Sequence, residues 1–445
     1  MDITVLSRMQ FAITTIYHFL FVPLTIGLSF FVAVFETVGY AKKDTRFSSL
    51  AAFFGKLFLI NFALGVVTGI VQEFEFGMNW SQYSAYVGDI FGAPLAVEAL
   101  AAFFLESTFI GIWLFGKDRI AQGVRVVSIW LVAFATCLSA LWILVANAFM
   151  QDPTGYALKN GRAVMTNFGA LISNPAALLE FAHTVAASFV TAAFFIIGVS
   201  ALKLLWKKQP DLFAASLKVA AVAGAVSLIA VAGAGDAQGK NAVRTQPMKM
   251  AAAEALWNTE SPAGFNVIAS INQNGKTNTF ALTVPDLLSF LSYGNLTAPV
   301  QGINQLEAKD ESTYGPGNYT PPVPLIFWSF RGMLLMAGLM ALLCLLLFIW
   351  WGRKKIAQTR WLLLLAAWLI PAPFLSNIFG WIVAEVGRQP WIVYGLLKVN
   401  QGVSPNLTPG MVLFTIVGFL LIYTLCAVVE IGMMIKYAKK DAQEA

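Results

Sequence analysis

The residues best suited to chemistry in this chain are a few polar groups set inside long apolar stretches. The only two histidines, His18 and His183, lie in such stretches, and so do Glu98, Glu106 and Glu385. A titratable group inside a membrane-length apolar run is costly and usually marks a functional site. Neutral imidazole is the commonest protein ligand for metals. The sequence therefore predicts that the histidines ligate haem or another metal.

A second chemical signal is the stretch that runs from Trp381 to Trp391. Glu385 and Arg388 stand three residues apart at the end of a long apolar run, and Pro390 ends the pattern. Such a pair is costly in lipid unless it is buried against protein or a cofactor. We expect the pair to be buried against protein or a cofactor.

Glu98 and Glu106 form a third signal within one apolar run. Eight residues correspond to about 12 Å along a helix and roughly 80° around it, so both carboxyls can share a polar seam without touching. Buried carboxyls are able to carry protons as neutral acids, and Ser139 and Asn147 could extend the seam. The alternative is that each glutamate simply pairs with a neighbouring helix.

The number of histidines excludes two classes of haem protein. Two imidazoles are too few for a haem–copper oxidase or for a cytochrome b with two bis-histidine haems. Any further iron must use a carboxylate or a thioether. The cysteines, Cys137, Cys344 and Cys426, form no CxxC pattern and are interpreted as packing residues.

The elements that position these groups are predicted to be membrane-spanning helices. The chain has 445 residues, of which 58% are hydrophobic and 12% charged, and apolar runs of about 20 residues recur throughout. We predict an all-α polytopic protein with about nine transmembrane helices. Three of these runs are Ala93–Phe115, Phe213–Ala234 and Trp361–Ala384.

The distribution of charge predicts how the helices are oriented. Short connections on one side hold 18 of the 29 basic residues, including Lys354 and Lys355. The positive-inside rule places that side in the cytoplasm, the N-terminus outside and the C-terminus inside. We expect six transmembrane helices in residues 1–234, an extracytoplasmic segment in 235–323, and three helices in 324–445. Within the segment, Met248–Trp257 is predicted to be helical and the remainder to be loop.

This orientation places four possible iron ligands in one layer near the outer face: His18, His183, Met333 and Glu385. Methionine is weak evidence alone, because Met336 and Met340 share its predicted helix and methionines often only fill space.

These residues and the motifs around them are similar to those of a known family. The chain resembles subunit I of the cytochrome bd-type quinol oxidases over nearly its whole length. The matching motifs occur in the family's order and are SRMQF (Ser7–Phe11), YHFLFVP (Tyr17–Pro23), GAPLAVE (Gly92–Glu98), QPMKMAAAE (Gln246–Glu254), FWSFRGM (Phe327–Met333) and Trp381–Trp391. The outer segment is short beside the longer form found in part of the family.

The resemblance implies three haems, two of b type and one haem d. His183 and Met333 correspond to the axial ligands of a low-spin haem b. His18 and Glu385 correspond to single ligands of the high-spin haem b and haem d, in an order that stays open. The resemblance also assigns Arg331, Arg388 and Arg8 to haem propionates, Trp381 to electron relay, Lys249 and Glu254 to quinol, and Glu98 and Glu106 to the proton pathway.

The function implied is oxidation of ubiquinol or menaquinol at the outer face, reduction of O2 to water, and proton uptake from the cytoplasm. This would generate a proton gradient without pumping. The implied location is the bacterial cytoplasmic (inner) membrane, with a homologous subunit II and a small one-span subunit as partners. Two alternatives are a secondary transporter, which has no haem, and a non-catalytic haem-bearing anchor.

Overall fold

The computed structural model describes residues 2–353 and 356–442, and most of these residues are helical. Lys354 and Lys355, which contribute to the predicted charge pattern, lie outside the described residues. The first half of the chain forms seven helices: α1 (Ile3–Lys42), α2 (Thr45–Met78), α3 (Ser81–Val97), α4 (Phe104–Phe115), α5 (Gln122–Gln151), α6 (Phe168–Ile172) and α7 (Pro175–Leu205).

The second half contains the remaining helices and most of the extramembrane structure. Its helices are α8 (Pro210–Thr245), α9 (Pro247–Glu254), α10 (Leu287–Tyr293), α11 (Ile303–Tyr314), α12 (Val323–Gly352), α13 (Arg360–Trp368), α14 (Ala372–Val386), α15 (Val399–Gly402) and α16 (Pro409–Lys439). Within the described residues, nine helical segments are long and apolar enough to cross a membrane. The predicted all-α fold with nine spans is confirmed.

The third span is longer than predicted and contains an irregular turn. It begins at Ser81 rather than Ala93, and α3 continues into α4 through a π-helical segment, Glu98–Phe103. Pro94 lies one turn before this segment and lacks the amide proton that an α-helix needs. Single π-helical turns often occur at functional sites, and here the segment begins at Glu98.

The eighth span consists of two helices. The sequence predicts one continuous run over Trp361–Ala384, but α13 ends at Trp368 and α14 begins at Ala372. Pro371 lies between them, where its ring prevents a continuous helical hydrogen-bond ladder. As a result, α14 is a separate helix that carries both Trp381 and Glu385.

The sixth span extends past its predicted end at Ala234, because α8 continues to Thr245. An ion pair between Asp236 and Lys240, four residues apart, supports the added turns with an Nζ–Oδ2 distance of 2.6 Å.

The segment between α8 and α12 has more regular structure than the sequence predicts. The expected short helix is present as α9, but the remainder is not simply loop. It contains an antiparallel hairpin of β3 (Phe265–Asn272) and β4 (Thr277–Val284), followed by α10 and α11. Two other hairpins pair β1 (Tyr156–Lys159) with β2 (Arg162–Met165) and β5 (Trp391–Val393) with β6 (Leu397–Lys398).

The main apolar core joins α1, α2, α7 and α8. Helices α1 and α7 approach so closely at Gly27 that an added Cβ would lie 2.3 Å from the carbonyl oxygen of Ser188. Only glycine fits there. This contact fixes the relative position of the two helices that carry His18 and His183.

Candidate cofactor and quinol sites

A cavity of about 700 Å³ lies between α1, α2, α5, α14 and the π-helical segment. Its lining is mainly apolar, as in most cofactor sites. Seven of the predicted site residues line it: Arg8, His18, Glu98, Glu106, Trp381, Glu385 and Arg388. The structure therefore brings together residues that are widely separated in sequence.

His18 is held on the cavity wall in a defined orientation. Its Nδ1 lies 3.0 Å from the hydroxyl of Thr68, and that hydroxyl donates its own proton to the carbonyl of Leu64 or Gly65. When the hydroxyl gives its one proton to a carbonyl, its oxygen accepts the bond from Nδ1–H. This tautomer leaves Nε2 with a free lone pair, as a metal ligand requires.

Glu385 is held through both carboxylate oxygens. Oε1 accepts from Asn147 Nδ2 and from Gln151 Nε2, each at 3.0 Å, and Oε2 pairs with Arg388. These bonds to a charged acceptor are stronger than bonds between neutral groups. They fix a carboxylate that keeps part of its surface exposed on the cavity wall.

Arg388 provides a test of whether an anionic cofactor fits this cavity. Its side chain is only 3% exposed, and both Nε and Nη1 are buried without a hydrogen-bond partner among the described residues. Buried donors rarely stay unpaired in proteins. Two unpaired guanidinium donors beside an imidazole and a carboxylate fit a haem carrying propionates.

Trp381 lies one helical turn before Glu385 on α14 and also lines the cavity. Its ring meets Phe19, the neighbour of His18, edge to face with centroids 5.0 Å apart. The contact with Phe19 holds the indole on the cavity wall.

His183 and Met333 lie outside the lining of the large cavity, on α7 and α12. Nδ1 of His183 is buried, and the main-chain oxygen of Val231 on α8 is close enough to accept a weak hydrogen bond from the ring. Glycines face both side chains: a Cβ added at Gly235 would lie 3.2 Å from His183 Cε1, and one at Gly380 would lie 3.4 Å from Met333 Sδ. These features fit a second haem site, and the pairing of the two residues stays a prediction.

The predicted quinol-binding residues lie on α9, and both are buried. Lys249 Nζ donates to Gln151 Oε1 at 2.6 Å. Burial lowers the pKa of the Lys249 ammonium to about 8, and the positive charge of Arg388 adds to the shift. The charge of Lys249 therefore interacts with that of Arg388, which lines the large cavity.

Glu254 forms an ion pair with Arg331. Arg331 Nη2 and Nη1 donate to the two carboxylate oxygens at 2.6 and 3.3 Å. Arg331 also donates to the main-chain oxygens of Ala253 and Asn266. Burial raises the pKa of the Glu254 carboxyl to about 7, although the charge of Arg331 opposes the shift. Arg331, predicted to contact a propionate, is here bonded to Glu254.

Glu98 and Glu106 both line the cavity, and Ser139 donates to Glu98 Oε1 at 2.6 Å. The expected extension of the seam fits the structure, because Ser139 bonds to Glu98 and Asn147, which bonds to Glu385, lines the same cavity. Among the cysteines, Cys344 is buried, but Cys137 and Cys426 are only partly buried, so the packing interpretation fits Cys344 best.

The sequence did not predict that Thr68 or Gln151 belongs to the site. Gln151 follows Asn147 by four residues in an apolar run, and a polar pair at that spacing shares one helix face. That spacing could have indicated that Gln151 lies on the same face as Asn147. Thr68 gave none, because threonine is common in transmembrane helices.

A membrane-spanning helical bundle that encloses such a donor set defines a cofactor-binding redox protein. The chain belongs to the family described as cytochrome bd terminal oxidase subunit I, which matches residues 6–442. It is thus an oxidoreductase subunit of the bacterial inner membrane. This membership removes the transporter and anchor alternatives.

Relatives and a solved structure agree with this assignment. The chain is 48% identical over 441 residues to cytochrome bd ubiquinol oxidase subunit 1 of Bacillus subtilis, covering 99% of this chain and 94% of the relative. It is 39% identical to cytochrome bd-II ubiquinol oxidase subunit 1 of Escherichia coli, with 98% and 96% covered. The bd oxidase structure from Geobacillus thermodenitrificans matches with a TM-score of 0.89 at 29% identity, covering 98% of both chains.

Proposed function

We propose that the chain is the haem-containing catalytic subunit that oxidises membrane quinol at the outer face and reduces O2 to water. Protons for water formation come from the cytoplasm, and a proton gradient arises without pumping. The observation that carries this proposal is the large cavity, where His18 offers a free Nε2 and Arg388 offers two unpaired donors.

The cofactors proposed are two b-type haems, one low-spin and one high-spin, and one haem d. His183 and Met333 would hold the low-spin haem, while His18 and Glu385 would each hold one of the others. Arg388 and Arg8 line the same cavity and would bind propionates. Bound haem supplies electron transfer and an iron position for O2.

Quinol oxidation is assigned to the α9 region. Lys249 would polarise a quinol oxygen. Glu254 would accept a proton from the quinol after its ion pair with Arg331 has opened. Trp381 would relay electrons between haems. Two relatives are named for ubiquinol and a third for menaquinol, so both quinols are candidate substrates.

Protons would reach the cavity through Glu98 and Glu106. Both carboxyls lie on the cavity wall, and the Ser139 hydroxyl extends the polar seam. If the N-terminus lies outside, Glu106 is closer to the cytoplasm than Glu98. Water formation would then take protons from the side opposite quinol oxidation, so charge separation needs no pump.

The arrangement proposed in the membrane has transmembrane helices in 1–234 and 324–445 and an extracytoplasmic quinol-binding segment in 235–323. Subunit II is the expected partner of a bd oxidase subunit I. A small one-span subunit is proposed in addition.

The absorption spectrum of the purified complex, with its haem-to-protein ratio, tests the proposal. We expect b-type bands beside a chlorin band at long wavelength, and three haems for each copy of this chain. A preparation that folds and assembles with subunit II but binds no haem would refute the function.

A matched pair of variants tests the proton pathway. Glu106→Gln keeps the size of the side chain and removes the proton, so O2 reduction should slow at least tenfold with haem content unchanged. Glu430→Gln is the control, because Glu430 is also buried but lies on α16 and does not line the cavity. Equal turnover in the two variants would remove Glu106 from the pathway.

A further inference from the structure

Gln151, the last residue of α5, is bonded at both ends of its side-chain amide. Its Nε2 donates to Glu385 Oε1 at 3.0 Å, and its Oε1 accepts from Lys249 Nζ at 2.6 Å. The residue is only 4% exposed. One amide therefore connects the predicted quinol-binding lysine with the predicted haem-ligating carboxylate.

The chemistry of the partners fixes the orientation of this amide. An ammonium can only donate hydrogen bonds and an ionised carboxylate can only accept them. A flipped amide would place its NH2 against Lys249 and its oxygen against Glu385, and both contacts would be lost. Gln246 Nε2 also donates to Gln151 Oε1, at 3.0 Å, which agrees with the same orientation.

We propose that Gln151 is a positioning residue that holds Lys249 and Glu385 in one fixed arrangement. This inference rests on the proposed function of the two partners. Without the amide oxygen, a buried ammonium beside Arg388 loses its closest acceptor, and Lys249 no longer keeps its place. Without the amide NH2, Asn147 is the remaining donor to Glu385 Oε1 among the described residues.

A purely structural role for Gln151 predicts a different result. Gln246 also donates to the main-chain oxygen of Gln151, so the residue helps to attach α9 to the end of α5. If attachment were its whole role, substitution would lower the melting temperature and would change neither quinol affinity nor the haem spectrum selectively.

Two substitutions separate the two ends of the amide. Gln151→Leu removes both bonds at similar side-chain size. Gln151→Glu keeps an acceptor for Lys249 but places a negative charge against Glu385. Each variant is measured as the full complex, with KM and kcat for a short-chain quinol and with reduced-minus-oxidised spectra.

We expect Gln151→Leu to raise KM about tenfold, because a hydrogen bond to a charged group is lost. It should also shift or weaken the spectral band of the haem held by Glu385, and leave the low-spin band unchanged. Gln151→Glu should change the same band while KM stays within about twofold of the wild type. Gln209→Leu is the control, because Gln209 is bonded to the main chain of Ala442 instead. Its KM and its spectrum should match those of the wild type.

Three results would overturn the inference: an unchanged KM and spectrum in Gln151→Leu, a change in melting temperature alone, or an equal rise in KM for both substitutions. The proposed function fails separately, since in that case the wild-type complex itself would lack the haem bands.

Discussion

The contact between His18 Nδ1 and the Thr68 hydroxyl can be tested by substitution of Thr68. Thr68→Val removes the acceptor for Nδ1–H at almost equal volume, so the imidazole loses both its orientation and its preference for a free Nε2. Loss of such a partner typically lowers metal affinity roughly 10–100-fold. The band of the haem held by His18 should weaken in the absorption spectrum. Thr68→Ser, which keeps the hydroxyl, should retain it, and a full band in the valine variant would contradict the tautomer.

Glu254 gives a prediction about pH. Its pKa is raised to about 7 by burial, so the carboxylate that accepts a proton becomes more abundant as pH rises. If Glu254 is the base, kcat/KM for quinol should rise roughly tenfold from pH 6 to pH 8 and then level off. Glu254→Gln should lower kcat/KM and abolish this rise. A rise that persists in the glutamine variant would assign the pH dependence to another group.

The sequence was sufficient to select the residues with chemical potential, because charged and imidazole groups stand out against apolar runs. It could not supply their partners. The contact of Thr68 with His18 depends on the packing of helices whose residues are 50 positions apart in sequence. The ion pair of Arg331 with Glu254, found where a propionate contact was predicted, joins residues 77 positions apart.

At the level of elements, the sequence predicted the spans well and their interruptions poorly. Hydropathy averages over about 19 residues, so it identified nine spans but missed the π-helical segment at Glu98. Some signals were available. Pro371 could have indicated the break in the eighth span, and Asn160-Gly161 is typical of a tight hairpin turn, as found between β1 and β2.

The break between α13 and α14 gives a prediction about stability. An added Cβ at Gly198 on α7 would lie 2.1 Å from Ile370 Cγ1, so Gly198→Ala forces α7 and the broken span apart. Overpacking of this kind costs about 1–3 kcal/mol, and the melting temperature of the complex should fall. Gly338→Ala is the control, because an added Cβ there meets no atom within 4 Å. An equal melting temperature in both variants would show that Ile370 moves to accommodate the added methyl group without a cost in stability.

At the scale of the whole molecule, the orientation in the membrane can be tested by labelling. If the positive-inside rule holds, Lys117 between α4 and α5 faces the cytoplasm and Lys309 on α11 faces outward. An impermeant maleimide added to intact cells should label Lys309→Cys and leave Lys117→Cys unlabelled. Inverted vesicles should give the reverse. Labelling of Lys117→Cys in intact cells would contradict the orientation.

The ion pair between Arg331 and Glu254 limits how this enzyme can be re-engineered. Arg331 lies two residues before Met333 on α12 and also binds the main chain of β3 through Asn266. The segment between α8 and α12 is thus attached to α12 two residues before a predicted iron ligand. If that segment is exchanged for a relative's to alter quinol preference, the position of Met333 is expected to change as well, unless the new segment keeps the ion pair with Arg331.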